Sequence, residues 1–90
     1  FEALSTTKQK GPFMNLVQQN LIKDAIFAFK LNPKSQSSGG VLTLGGTDPA
    51  DYEGSITWLK VVRPLYWEVG LDSVRMGSTS VSGPARAIID

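Results

Sequence analysis

Two glycine pairs bracket a short apolar run near the middle of the chain: Gly39-Gly40, then Val41-Leu42-Thr43-Leu44, then Gly45-Gly46. An apolar run of this length between turn residues reads as a buried β-strand with sharp exits. Glycine permits the positive φ values and close backbone approach that such exits need, so Gly45 and Gly46 are expected to be backbone-critical. Asp48-Pro49 then imposes a turn, because proline fixes its own φ and moves the preceding residue out of the α region. A strand needs a partner. Residues 25–31 supply one, with Phe27 and Phe29 two apart on a single face. Residues 32–40 carry no apolar residue except Pro33 and read as the hairpin loop between the two strands.

Phe1-Glu2-Ala3-Leu4 reads as the tail of a strand or turn that runs into an exposed loop around Lys8 and Lys10. Gly11-Pro12 opens a short helix, since proline suits the first helical position. Phe13, Leu16, Val17 and Leu21 form one apolar stripe on it. Asn20 tolerates the left-handed conformation that ends helices.

Residues 55–62 alternate, with Ile56 and Trp58 on one face and Thr57, Leu59 and Val61 on the other. Both faces carry apolar groups, so the segment is expected to be a strand partly covered on both sides. Arg63-Pro64-Leu65 breaks it, and residues 66–76 resume it. Trp67, Val69 and Leu71 share one parity; Val74 and Met76 share the other, which places a bend near Asp72-Ser73. Residues 77–84 read as a flexible turn, and Trp58 and Trp67 as core residues. These faces ask for more partner strands than the chain contains, and a lone two-stranded hairpin is marginal in water.

Composition excludes several kinds of chemistry. The chain has no histidine and no cysteine, so a Ser-His-Asp or Cys-His nucleophile, a thiolate and a disulfide are all absent from it. A formal net charge of +1 gives no pull toward nucleic acid or membrane surfaces. No apolar run approaches the roughly 20 residues of a membrane span. Asp48, Asp51 and Glu53 lie close together but lack the glycine and terminal glutamate of a calcium loop, and read as a solvated turn.

One carboxylate stands apart. Ala87-Ile88-Ile89 leads straight to Asp90, and an acid carried out of a buried apolar strand is expected to be shielded from water. The order Val41-Leu42-Thr43-Leu44-Gly45-Gly46-Thr47-Asp48, Tyr52, Gly54-Ser55, Trp58, Tyr66-Trp67, Leu71-Asp72-Ser73-Val74 and finally Ala87-Ile88-Ile89-Asp90 resembles the middle of the pepsin-like aspartic proteases of the pepsin and cathepsin D type. The resemblance runs over nearly the whole chain. It casts the chain as an internal fragment ending at the family's second catalytic aspartate. The family's first Asp-Thr/Ser-Gly motif and its flap tyrosine have no counterpart here. Residues 78–83 take the place of a loop that many members close with a disulfide.

The resemblance implies a mainly β chain with one short helix, part of a bilobal acid protease fold. Residues 1–47 are then the end of the N-terminal lobe with strands of the inter-lobe sheet, and residues 48–90 the start of the C-terminal lobe. It implies an aspartic endopeptidase in which water is activated between Asp90 and a second aspartate outside this chain. Tyr66 and Ile88 are implied to line the primed side of the substrate cleft. No cofactor and no metal is implied. The expected partners are a polypeptide substrate and the remaining segments of the same enzyme, which bring the other aspartate and the flap; no nucleic acid and no membrane span are expected. A zymogen of the secretory pathway, secreted, vacuolar or lysosomal, fits the resemblance. A catalytically inactive pepsin-like binding protein and a free-standing β-rich interaction module are the alternatives.

Overall fold

A computed structural model describes all 90 residues. They fall into two units, Lys10–Ser55 and a second made of Phe1–Gln9 with Ile56–Asp90.

In the first unit, helix α1 (Pro12–Gln18) starts with Pro12 at its first turn and Gly11 as N-cap. It closes where Asn20 takes a φ of 54°. The Leu21 N–H donates to the Leu16 carbonyl at 3.0 Å, and the Asn20 N–H to the Val17 carbonyl at 3.1 Å. This pair of bonds satisfies two orphaned helix-end carbonyls. Strands β1 (Phe27–Leu31) and β2 (Gly40–Leu44) pair antiparallel, from Phe27 opposite Leu44 to Leu31 opposite Gly40. The alternation therefore places Phe27, Phe29, Leu31, Leu42 and Leu44 on one face. Phe13 of α1 meets Phe27 edge-on at 5.1 Å between ring centroids, and Phe27 meets Phe29 at 6.0 Å. A turn of 3₁₀ helix (Pro49–Asp51) follows, capped by the Asp48 carboxylate, which accepts from the Ala50 N–H at 2.9 Å.

Glycine is required at two points of this unit. Gly40 has φ +137°, and a Cβ there would collide with the Lys30 carbonyl oxygen; Gly45 has φ +85° and a Cβ would lie 3.0 Å from Ile22 Cβ. Gly46 has no positive φ, and nothing stands where its Cβ would be. The expectation that Gly46 is backbone-critical is therefore corrected: one glycine of the pair makes the exit.

In the second unit, Glu2–Leu4 form a turn of 3₁₀ helix rather than a strand end, and the Phe1 ring lies 4.8 Å from that of Trp67. Strands β3 (Val61–Arg63), β4 (Glu68–Leu71) and β7 (Ala85–Ile88) make an antiparallel sheet with β4 in the centre. Strands β5 (Val74–Met76) and β6 (Thr79–Ser82) form a separate hairpin closed by Gly77-Ser78. The bend expected near Asp72-Ser73 is where the chain leaves the first sheet for the second. Two expectations fail here. Residues 55–60 form no strand, because no neighbour takes up their backbone hydrogen bonds. Residues 77–84 are half strand rather than a flexible turn, because β6 folds back on β5.

No apolar side chain of the chain is buried. Strand β2, read as buried, is exposed at Val41, Leu42 and Leu44, because only one end of one hairpin face meets the helix. Trp58 is 70% exposed and Trp67 about half exposed, so neither is a core residue here. The fold is mostly strand with one short α-helix, and its apolar faces find only partial cover within these residues.

Candidate active site

Asp90 comes two positions after β7, at one end of the β4–β7 pair. The register there is Glu68 opposite Ile88, Val69 opposite Ala87, Gly70 opposite Arg86 and Leu71 opposite Ala85. The Ile89 N–H extends it by one bond, donating to the Trp67 carbonyl at 2.9 Å. Continued in the same sense, the antiparallel register leads β7 toward Asp90 and β4 back toward Tyr66. Tyr66, Glu68, Ile88 and Asp90 therefore gather at the same end of the sheet.

The Asp90 side chain is exposed and engages no hydrogen bond or ion pair of this chain. The shielding expected of it is absent here. Strand β7 lies at the sheet edge, and Ile88 and Ile89 beside Asp90 are 54% and 66% exposed, so no apolar layer covers the carboxylate. A single solvated carboxylate can accept a proton but cannot share one, so proton sharing requires a second acid at hydrogen-bonding distance.

Tyr66 sits in the turn between β3 and β4. Its N–H and that of Leu65 both donate to the Arg63 carbonyl, at 3.2 and 2.8 Å. The Arg63 guanidinium carbon lies 5.0 Å from the centroid of the Tyr66 ring, over its face, and the residue is 37% exposed. Ile88 is accessible on the facing strand. Both residues expected to line a cleft thus present surface at the same sheet end as Asp90.

Glu68 and Arg86 carry no expectation from the sequence, and Arg63, expected to begin a strand break, instead ends β3. Glu68 is the one buried residue of the chain, 6% exposed, on the central strand. Its carboxylate lies between two guanidinium groups, with Oε2 3.4 Å from Arg63 Nε and Oε1 accepting from Arg86 Nη1 at 3.4 Å. The sheet explains the grouping. Arg63 is the register partner of Glu68, brought there by a bulge at Val62 between the pairs Val61–Val69 and Arg63–Glu68. Arg86 is the diagonal neighbour, two residues from Ile88 on the same face. Opposite charges on runs that pair antiparallel were the available signal, but the bulge hides it from any regular alternation. The remaining acids named above have local roles: Asp48 caps the 3₁₀ turn and Asp51 pairs with Lys30 at 3.2 Å.

Comparison with known proteins agrees over the whole length. The family described as eukaryotic aspartyl protease matches residues 1–90. Cathepsin D of Gallus gallus is 45% identical, over 100% of this chain and 23% of its own length. Pregnancy-associated glycoprotein of Equus caballus is 35% identical, over 100% of this chain and 24% of its own. Pepsin F of Oryctolagus cuniculus is 42% identical, over 77% of this chain and 18% of its own. The chain thus spans less than a quarter of the length of these relatives.

Proposed function

The chain belongs to the eukaryotic aspartyl protease family, and we propose that it is the segment of an aspartic endopeptidase that carries one of the two catalytic aspartates, Asp90. The observation that carries this reading is the match over all 90 residues, at 45% identity to a cathepsin D, which includes the Ala87-Ile88-Ile89-Asp90 approach. The partly covered apolar faces support it, since a segment of a larger enzyme meets the rest of its cover in the remainder of that enzyme.

Residues 1–47 then close the first lobe and contribute strands to the sheet between lobes, and residues 48–90 open the second lobe. The remaining polypeptide supplies the second aspartate and the flap. Aspartic proteases are the standard instance of two carboxylates that share one proton because both cannot ionise side by side. The pair titrates as a unit. In its ionised half it takes a proton from a bound water, which attacks the scissile carbonyl. In its protonated half it hydrogen-bonds the carbonyl oxygen and stabilises the charge that develops there. No metal and no cofactor enters this scheme. Tyr66 and Ile88 line the primed side and present apolar surface to bulky side chains of an extended polypeptide. The enzyme is made as a zymogen in the secretory pathway and works in a secreted, vacuolar or lysosomal setting. No helix is long and apolar enough to cross a membrane.

The test is Asp90→Asn in the whole protease. Hydrolysis of a peptide substrate should fall by about 10²–10⁴-fold, while circular dichroism and thermal unfolding stay unchanged, because the amide keeps the shape and removes the shareable proton. Undiminished hydrolysis by the Asn variant rejects the assignment. A parent protein that binds peptides without cleaving them shows the inactive binding protein instead.

A further inference from the structure

The geometry points to Arg63 as a positioning residue for the primed side of the cleft, set in place by Glu68; this rests on the reading of Tyr66 as a cleft residue. Arg63 does two things with one planar group. Its Nε faces the Glu68 carboxylate at 3.4 Å, and its guanidinium carbon stands 5.0 Å from the centre of the Tyr66 ring. Glu68 is in turn held by Arg86 from the other side, at 3.4 Å, and by the central strand beneath it. The buried carboxylate is thus an anchor with two cationic partners, and only one of them touches Tyr66. Tyr66 itself lies in a turn, fixed by one backbone hydrogen bond to the Arg63 carbonyl. Backbone hydrogen bonding leaves the ring's χ angles free, and the residue is partly exposed. The guanidinium over its face is what selects one ring orientation, since a planar cation attracts the negative face of an aromatic ring.

A network that only held the sheet together would have no reason to distinguish Arg63 from Arg86. Both pair with the same carboxylate at the same distance. They differ in that Arg63 carries the orientation of Glu68 through to an accessible aromatic side chain. The consequence is selectivity: the wall formed by Tyr66 is held ready for a bulky apolar side chain of the substrate, so the ring need not be ordered when the peptide binds.

The experiment uses the whole protease and two peptides that differ only in the primed-side residue, leucine in one and alanine in the other. Arg63→Lys keeps a positive charge for Glu68 but has no planar group to stack on the ring. It should raise KM for the leucine peptide about two- to five-fold relative to the alanine peptide, through KM rather than kcat. Arg86→Lys makes the equivalent change on the far side of Glu68 and should leave the leucine-to-alanine preference where it was. In a Tyr66→Leu background, which should itself lower the preference, Arg63→Lys should change it no further. Arg63→Lys and Arg86→Lys moving both peptides equally, or Arg63→Lys acting undiminished without Tyr66, overturns the proposal. If Tyr66→Leu alone leaves the preference unchanged, the cleft assignment of Tyr66 has failed and takes this inference with it. If Tyr66→Leu shifts the preference and Arg63→Lys does not, the cleft assignment stands and this inference alone is rejected.

Discussion

The β1–β2 hairpin and the β3–β4–β7 sheet solve the same problem by different means. Each is a small antiparallel sheet whose apolar faces the chain covers only in part. The hairpin is tied to its neighbour by aromatic edges: Phe13 to Phe27, then Phe27 to Phe29. The three-stranded sheet is tied within itself by charge, through Arg63, Glu68 and Arg86. The first device follows from hydrophobic periodicity, which brings aromatic rings together edge to face. The second depends on a bulge at Val62 that turns Arg63 to the face of Glu68. A one-residue slip would turn every side chain of a strand to the other face, so both devices oppose it, the aromatic contacts at the hairpin and the Arg63–Glu68–Arg86 ion pairs at the sheet. That matters at the end where Tyr66, Ile88 and Asp90 gather.

The comparison can be broken most severely at the hairpin's own geometry. Gly40→Val places a Cβ against the Lys30 carbonyl at φ +137° and should destabilise the full-length protein by about 4 kcal/mol. Gly46→Val, with no positive φ and open space around it, should change stability by less than about 0.5 kcal/mol. Denaturant midpoints of the two variants decide this; equal midpoints would show that the register of β1 and β2 does not depend on Gly40.

The charged sheet should respond less, but with a distinctive pattern. Arg63→Ala and Arg86→Ala each leave Glu68 with one cationic partner and should cost about 1 kcal/mol apiece. Together they leave a carboxylate that is 6% exposed with no counter-charge, and the loss should reach about 3 kcal/mol, more than the sum. Strict additivity in this double-mutant cycle would mean that the two arginines act as independent surface charges.

The smallest effect belongs to the ion pair that decorates the hairpin. Lys30 and Asp51 meet at 3.2 Å, with 44% and 23% of their side chains exposed. Lys30→Ala should cost less than about 0.5 kcal/mol, and high salt should erase the difference. A larger, salt-insensitive loss would move this pair into the same class as the Glu68 triad.

Much of the local structure was legible in single residues. Pro12 marked the start of α1 and Asn20 its end, because a missing N–H and a tolerance for positive φ act at their own positions. The hairpin pairing was legible in Phe27, Phe29 and the Val41–Leu44 run, because strand alternation is a property of the backbone. The bend at Asp72-Ser73 was legible from a change of parity. The candidate site was legible chiefly through resemblance: Asp90 had one local signal, the apolar Ala87-Ile88-Ile89 run, whose expected shielding is absent, and Tyr66 and Ile88 carry none that sets them apart from a turn tyrosine and a strand isoleucine.

What the sequence determined by itself is therefore the set of positions where one residue's own covalent geometry decides the backbone, together with the apolar alternation that makes strands possible. Whether an alternating run becomes a strand was decided elsewhere. Residues 55–60 alternate and pair with nothing, while residues 79–82 look like a turn and pair with β5. The Glu68 triad likewise exists only after three strands separated in sequence come together with a bulge between two of them. Backbone hydrogen bonds and ion pairs need a partner in space, and which partner arrives is a property of the assembled sheet rather than of any segment in it.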